Sequence, residues 1–281
     1  MEIVHRISFN DTAEGSRIPE LAALGVKATF TPLPSPPGNP APLGLVTAVV
    51  SEQQEQWSVI KAKLESWQAG DLITTRFTPG ERRQAKWLAV DPEWHWGYPM
   101  PDEDDGYLAE TYDRSMECPS CGAGRVQKRP FRMAGEPRWG RRSATQLNWI
   151  FDEYFVRPEI HRSVFQPFGI SSIEVIDHKT GRPLQTVVQL GIEYIASVPL
   201  VPERDSITAI CGVCGTPRYE PHVKGFFPRF SGPVQHPLVK SLEFFGSGKS
   251  SWHAVLMRSD LYNACLAHEV RGFLFWPSAT S

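Results

Sequence analysis

Cys118-Pro119-Ser120-Cys121-Gly122 and Cys211-Gly212-Val213-Cys214-Gly215 are two stretches of the same pattern, C-x-x-C-G, and they contain four of the five cysteines in the chain. Two intervening residues allow a tight turn to aim both sulfur atoms at one point about 2.3 Å away. The following glycine allows the positive φ that such a turn requires. Together the turns supply four thiolates, the tetrahedral ligand set that Zn²⁺ prefers, so the sequence predicts a closed structural site. Its predicted metal ligands are Cys118, Cys121, Cys211 and Cys214.

The separation of the two turns determines what the metal would do to the fold. There are 89 residues between Cys121 and Cys211, many more than separate the ligand pairs of an ordinary zinc ribbon. Because the ligands come from distant segments, we expect the fold to bring them together. The result would be a zinc-ribbon-like site in which the ion joins these segments.

Other uses of the cysteines stay open at this stage. Disulfides are conceivable, although a cytosolic chain with five cysteines disfavours them. A thioredoxin-like redox pair usually occurs singly, and an iron–sulfur cluster also takes four thiolates. Cys265 stands apart in an apolar pattern with Leu261 and Leu266, and we expect it to be an ordinary buried thiol.

The composition excludes several broad classes of protein. The chain has 281 residues, with 29 Lys+Arg against 31 Asp+Glu and a formal net charge of -2, so no global field would gather nucleic acid or an anionic membrane. The longest apolar runs, such as residues 43–50, are far shorter than the roughly 18–20 residues of a membrane span. The N-terminus lacks the charged-then-apolar layout of a secretion signal. We therefore expect a soluble, cytoplasmic protein that does not contact a membrane.

The hydrophobic periodicity predicts an α+β fold that is richer in strands than in helices. One helix should follow a capping box that begins at Ser51, with Trp57, Ile60, Leu64 and Trp67 on its buried face. Strand–helix–strand units should surround two helix starts, one signalled by Pro158 and the other by Ser259 as N-cap. Strand-like runs occur at residues 2–9, 45–50, 72–77, 173–176, 184–190 and 273–276. A hairpin turn is expected from Asp177 to Gly181.

We place a domain division near residue 110. Residues 1–110 form an N-terminal α+β region, and residues 111–281 form the zinc-binding α+β domain that contains both C-x-x-C-G units. The N-terminal region includes a Pro-rich loop at residues 32–42, where six of eleven residues are proline. Because proline lacks a backbone N–H, this loop cannot pair as a central strand.

The sequence contains no set of residues typical of an enzyme active site, and we expect that the protein is not an enzyme. Residues 243–250 end like a phosphate-binding loop, but Glu243 occupies a position that requires glycine. His268 lacks the second histidine of a metalloprotease helix, and no G-x-S-x-G elbow occurs. One catalytic option stays open, in which His95 works with the carboxylates at 102–105. Such groups perform acid–base chemistry only if they converge on a pocket.

A basic stretch at residues 125–142 suggests a different function. Its cations could neutralise phosphates while Phe131 and Trp139 stack on bases, although a solvated hairpin often has the same composition. The alternative hypothesis is therefore a zinc-containing nucleic-acid-binding protein. The cations are Arg125, Lys128, Arg129, Arg132, Arg138, Arg141 and Arg142, opposed by Glu136.

Over about residues 110–281 the chain resembles the double-CXXCG motif proteins of predatory and soil bacteria. The resemblance is carried by the paired C-x-x-C-G units, by Phe244-Phe245-Gly246-Ser247-Gly248, and by Arg271-Gly272-Phe273-Leu274-Phe275-Trp276-Pro277. Members of that family are thought to include immunity proteins, which bind and neutralise a toxin passed between cells. The resemblance implies a cytoplasmic binding protein whose zinc site holds the shape of a surface that faces a cognate protein toxin. Only the four cysteines carry over, as metal ligands.

Overall fold

The computed structural model describes residues 1–12, 15–34, 43–201 and 207–280. Strands contain 37% of its residues and helices contain 20%, which confirms the expectation of a strand-rich α+β fold. The chain divides into two compact units, Met1–Thr78 with Val223–Gly225 and Pro79–His222 with Phe226–Ser281. The division thus lies after Thr78, whereas the sequence suggested residue 110. No helix in the described residues is long and apolar enough to cross a membrane.

The N-terminal unit is a four-stranded antiparallel sheet with two helices. Its elements are β1 (Glu2–Thr12), α1 (Arg17–Ala23), β2 (Ala28–Pro32), β3 (Leu43–Ser51), α2 (Trp57–Ser66) and β4 (Gly70–Arg76). The strand order is β2-β3-β1-β4. Alternating residues such as Ile7 and Val46 point into a core that is completed by Leu21 of α1 and by Ile60 of α2. Most of the predicted Pro-rich loop, residues 35–42, lies outside the described residues.

The predicted stripe on α2 is confirmed, but the predicted capping box is wrong. Ile60 and Leu64 are buried, and Trp57 and Trp67 pack against the same core. The helix begins at Trp57, however, and no side chain caps it. Ser51 is still paired with β1 as the last residue of β3. Sheet pairing has therefore overridden a local helix-start signal.

The second unit contains the remaining elements. Its first strands and helices are α3 (Pro79–Gln84), β5 (Trp87–Pro92), α4 (Gly106–Thr111), β6 (Tyr112–Asp113), β7 (Val126–Gln127), β8 (Arg132–Met133), β9 (Ala144–Thr145), β10 (Phe155–Val156) and α5 (Pro158–Ile160). The later ones are β11 (Ser171–Asp177), β12 (Pro183–Gly191), β13 (Leu200–Val201), β14 (Ile207–Ile210), β15 (Pro217–Tyr219), β16 (Arg229–Phe230), β17 (Leu238–Phe245), β18 (Trp252–Arg258), α6 (Ser259–Ala267) and β19 (Phe273–Pro277). A π-helical turn (His161–Phe165) and short 3₁₀ segments (Glu103–Asp105, Gln166–Phe168) complete the list.

Two larger sheets organise this unit. One has the order β14-β15-β17-β18-β5-β19 and the other has the order β8-β11-β12-β10-β9. Strand β5 pairs with both β18 and β19, which explains why it belongs to the second unit rather than to the first. One core cluster contains residues from both sheets, such as Met257 of β18 and Leu190 of β12. Leu261 of α6 packs into the same cluster. Cys265 is buried in this cluster, as predicted.

The predicted local units of the C-terminal half are confirmed. Strands β11 and β12 pair antiparallel across the turn that follows Asp177, where Gly181 has a φ of +68°. Pro158 begins α5, and α6 lies between β18 and β19. Ser259 is the first residue of α6 and not its N-cap, a position held by Arg258.

Candidate metal centre

Each C-x-x-C-G turn connects two antiparallel strands. The first lies between β6 and β7, and the second lies between β14 and β15. In the first turn Gly122 N–H donates to the Cys118 carbonyl at 2.8 Å, and in the second Gly215 N–H donates to the Cys211 carbonyl at 2.8 Å. Gly122 and Gly215 have φ values of +77° and +71°, as the pattern predicts. The two turns therefore have the same local backbone geometry.

The four sulfur atoms converge across the 89-residue gap. The Sγ atoms of the four predicted ligands all lie within 4.8 Å of one another. Cys118 and Cys211 are 3.8 Å apart, and Cys121 and Cys214 are 3.6 Å apart. A tetrahedral ion with bonds of about 2.3 Å would separate its sulfur ligands by about 3.8 Å. The arrangement fits one bound ion.

A disulfide is not formed at this centre. All five cysteines are free thiols. The Sγ–Sγ separations of 3.6 Å and 3.8 Å are far longer than a disulfide bond, which is about 2.05 Å. The two turns also form one shared cluster, whereas a redox motif would use the two cysteines of a single turn.

The surroundings of the sulfur atoms are unequal. Cys118, Cys121 and Cys211 are buried, and Cys214 is exposed. Burial raises the pKa of Cys121 to about 11. Backbone N–H groups of Cys214 and Val213 lower the pKa of Cys211 to about 6, and the Thr216 hydroxyl and backbone lower the pKa of Cys214. A cation at the centre would stabilise all four thiolates, and the buried Cys121 has the most to gain from it.

The end of β17 and the segment that follows it hold the first turn in place. Ser251 Oγ donates a hydrogen bond of 2.7 Å to the Cys121 carbonyl, and Phe244 packs against the cysteine cluster. A Cβ atom on Gly122 would lie 2.4 Å from the Lys249 carbonyl oxygen. The run that ends like a phosphate-binding loop therefore serves as a support for the metal centre.

A cavity of about 600 Å³ lies beside the first turn, and Gly122 and Gly124 form part of its wall. Lys240 forms an ion pair with the buried carboxylate of Glu153 and lies 3.6 Å from Asp152. Burial raises the pKa of Glu153, an effect that Lys240 opposes. Burial alone would lower the pKa of Lys240, but the charges of Asp152 and Glu153 raise it. Sequence reasoning missed this cluster, because its members have no characteristic spacing.

The basic stretch does not present the aromatic rings that the alternative hypothesis needs. Phe131 is 0% exposed and Trp139 is 6% exposed. The Trp139 indole N–H donates to the Thr186 carbonyl at 3.0 Å. Arg129 lies 3.6 Å from Glu110. The two rings belong to the core and are not available to stack on bases.

The structure also gives no support to the catalytic option at His95. Burial lowers the pKa of His95, and its backbone forms a bridge with Gln146. Trp94 and Trp96 on either side of it pack against a core cluster. The side-chain hydrogen bond that acts on His95 is with Gln146 and not with a carboxylate of residues 102–105.

Comparison with known proteins adds no assignment: no protein-family model matches the chain, and neither a curated protein nor a solved structure matches it. What the molecule itself offers is the geometry of the site. That geometry consists of four sulfur atoms gathered from two hairpins, together with the residues that support them.

Proposed function

We propose that the chain is a zinc-stabilised cytoplasmic binding protein of the immunity type, which binds and neutralises a cognate bacterial toxin. The observation that carries the proposal is the convergence of four cysteine sulfur atoms to within 4.8 Å. Four thiolates occupy all four coordination positions of a tetrahedral ion, so no position is left for a substrate or a reacting water. The role of such an ion is to stabilise the fold.

The chemistry of the ligand set favours zinc. Soft thiolates select Zn²⁺ over the hard cations Mg²⁺ and Ca²⁺. A cluster of several iron atoms would distribute the thiolates over different metals and hold them farther apart than a single ion does. The separations of 3.6 Å and 3.8 Å fit a single ion.

The resemblance to the double-CXXCG motif proteins supports a role in binding. Two of the three segments that carry the resemblance meet at the centre, because Phe244 packs against the cluster formed by the two cysteine turns. An ion at this position, with all four ligands supplied by the protein, would fix the surface formed by both hairpins. A rigid surface lowers the entropy cost of binding a partner.

Elemental analysis tests the metal. We expect the purified full chain to contain one zinc per molecule, and a variant with all four cysteines changed to serine to contain none. The Cys265→Ser variant is the matched control, because this buried thiol lies outside the cluster, and it should keep its zinc. A metal-free native protein, or a protein loaded with several iron atoms, would refute the assignment.

Co-expression tests the neutralisation. We expect the chain to form a 1:1 complex with the product of an adjacent gene and to abolish the toxicity of that product. Cys211→Ser should lose protection along with zinc, and Cys265→Ser should retain it. If the chain protects against none of the neighbouring gene products, the immunity role is wrong even when zinc is present.

The nucleic-acid alternative is the weaker hypothesis, because Phe131 and Trp139 are buried. It makes a distinct prediction nonetheless. Oligonucleotide binding should weaken steeply as salt rises, and changing Arg129 and Arg132 to glutamine should flatten that dependence. Under the proposal made here, oligonucleotides show no such salt-dependent binding.

A further inference from the structure

A second cavity, also of about 600 Å³, lies at the surface of the second unit where three segments of the chain meet. The segments are the loop 140–143, residues 157–160 at the start of α5, and residues 268–271 after α6. The charged residues of the lining are four arginines and two glutamates, namely Arg141, Arg142, Arg157, Arg271, Glu159 and Glu269. His268, which also lines the cavity, can only add positive charge. The described lining therefore has two positive charges in excess.

The two carboxylates leave most of the arginines without a partner. Glu159 lies 3.6 Å from Arg157, so its charge is already shared with that residue. In the part of the chain that the structure describes, Arg141, Arg142 and Arg271 form no ion pair with a carboxylate. If Glu269 neutralised one of these three, two guanidinium groups would still remain. Like charges that gather from separate segments repel one another, and an anion would relieve that repulsion.

Two of the guanidinium groups are held in place by the protein. Arg157 Nε donates to the Arg142 carbonyl at 3.0 Å, and its Nη2 donates to the Gly140 carbonyl at 3.1 Å. The guanidinium carbon of Arg157 also lies 5.6 Å from the centroid of the Trp139 ring. That of Arg142 lies 5.1 Å from the centroid of the Trp94 ring. Because these contacts exist before a ligand binds, less conformational entropy is lost on binding.

The backbone beneath the cavity joins two of the three segments. Ser143 N–H donates to the Arg271 carbonyl at 2.9 Å, and Arg271 N–H donates to Ser143 Oγ at 3.0 Å. A Cβ atom on the neighbouring Gly272 would lie 2.0 Å from the Ala144 carbonyl oxygen, so the segments are in close contact. This crossing keeps Arg271 next to the loop 140–143.

The chemistry of the arginines narrows the kind of anion. A guanidinium group presents a planar fork of N–H donors that pairs with carboxylate or phosphate oxygens. A carboxylate has two oxygens, which one fork occupies, whereas a phosphate monoester has three terminal oxygens that can accept from several forks. A phosphate monoester also carries up to two charges, which match the two charges in excess.

We propose that this cavity binds a single dianionic phosphate group, with Arg141, Arg142 and Arg271 as its partners. Arg157 positions the loop through its hydrogen bonds to the Gly140 and Arg142 carbonyls. The group is either inorganic phosphate or the phosphate of a small monoester. This binding is independent of the immunity role, since it is measured on the chain alone.

Two probes of similar shape test the charge. At about pH 8 methyl phosphate carries two charges, because the second pKa of a phosphate monoester is about 6, and dimethyl phosphate carries one. In a titration of the zinc-loaded, ¹⁵N-labelled full chain at constant ionic strength, methyl phosphate should cause saturable shifts of the amides of Gly140, Arg141 and Glu269. Dimethyl phosphate, which resembles the diester of a nucleic-acid backbone, should bind at least about fivefold more weakly. Equal binding of the two probes would overturn the proposal.

Arg271→Gln removes one of the unpaired charges and breaks no described ion pair, so we expect it to weaken methyl phosphate binding at least about fivefold. Arg182→Gln is the matched control for net charge, because Arg182 is exposed in the turn after β11 and does not line the cavity; it should bind as the wild type does. A Kd unchanged by Arg271→Gln, or raised equally by both substitutions, would refute the site.

Glu269→Gln tests the same charge balance in the opposite direction. It removes the carboxylate that opposes the unpaired arginines, so binding of methyl phosphate should become at least about twofold tighter. A gain in affinity cannot result from a damaged fold. An unchanged or higher Kd would contradict the assignment.

Inorganic phosphate distinguishes the two sources of the group. If it binds more tightly than methyl phosphate, the ligand is the free ion. If methyl phosphate binds as tightly or more tightly, the ligand is a monoester. Both results require the phosphate site, and shifts that never saturate with either compound would refute it.

Discussion

The two C-x-x-C-G turns have the same sequence pattern and the same backbone hydrogen bonds, but their surroundings are opposite. In the first turn Cys121 is 0% exposed, and Gly122 faces the Lys249 carbonyl oxygen. In the second turn Cys214 is exposed, and a Cβ on Gly215 would meet nothing within 4 Å. The motif therefore specifies the local turn, whereas the rest of the fold decides how firmly each turn is held.

This contrast predicts which turn depends on the metal. The first is held by Phe244, by the hydrogen bond from Ser251 and by close backbone packing. The second turn, residues 211–216, has an exposed Cys214 and open space beside Gly215. Strand β15 behind it is paired with β17, so it is the turn itself, and not its whole hairpin, that depends on the ion. We therefore expect the second turn to be the one that opens when the ion is lost.

Zinc removal should produce the largest effect. Four thiolates bind zinc with an apparent free energy on the order of 10 kcal/mol, so chelation should lower the unfolding temperature of the second unit sharply. Hydrogen exchange measured by mass spectrometry should then rise more in the second turn, residues 211–216, than in the first turn, residues 118–123. Equal exchange in the two turns would contradict the comparison.

The N-terminal unit provides the internal control for chelation. It contains no cysteine, and its core of Ile7, Val46 and Ile60 lies within its own sheet and helices. Its amides should keep their protection after zinc is removed. Loss of protection throughout the chain would show that the two units unfold together.

Serine substitutions separate the effect of losing a metal ligand from the effect of burying a hydroxyl group. Cys121→Ser and Cys214→Ser each remove one ligand, but only the first places a hydroxyl in a fully buried position. An unpaired buried hydroxyl costs about 1–3 kcal/mol, so in the zinc-free proteins Cys121→Ser should be the less stable variant by that amount. Urea unfolding of both variants without zinc measures the difference. Identical midpoints would mean that burial of the first turn does not matter.

The local geometry of the centre could be predicted from sequence, and so could much of the secondary structure. The C-x-x-C-G spacing indicated both turns and the positive φ of Gly122 and Gly215. The stripe on α2 and the hairpin after Asp177 followed from periodicity and turn chemistry. Each of these depends on residues that are close together in the chain.

The features that could not be predicted depend on distant contacts. Pairing of β5 with β18 and β19 placed residues 87–92 in the second unit. Phe131 and Trp139 lie in a basic stretch, and nothing local indicates that they belong to the core. The ion cluster of Asp152, Glu153 and Lys240 is formed by side chains that usually lie on a surface. Only the assembled sheets show that it is buried.

Glycine substitutions compare the turns without removing a ligand. Alanine at either glycine must adopt a positive φ, which costs about 1–3 kcal/mol. At position 122 the new Cβ would also lie 2.4 Å from a backbone oxygen, and overpacking of this kind adds about 1–3 kcal/mol. Gly122→Ala should therefore be less stable than Gly215→Ala in urea unfolding of the zinc-loaded proteins. A larger loss at position 215 would reverse the comparison.

The smallest expected effect is at the Thr216 hydroxyl beside the second turn, and the Ser251 hydroxyl beside the first turn provides the comparison. Ser251 is buried and donates to the Cys121 carbonyl, so Ser251→Ala leaves a buried acceptor without this partner and should cost about 1–3 kcal/mol. Thr216 is only partly buried, and its hydroxyl lies 3.1 Å from the exposed Cys214 Sγ. Thr216→Val should therefore change the free energy of unfolding by no more than about 0.5 kcal/mol. Thermal unfolding of the zinc-loaded variants measures both. If Thr216→Val proves the more destabilising, the second turn is held by its own hydrogen bonds and the ion is not its main support.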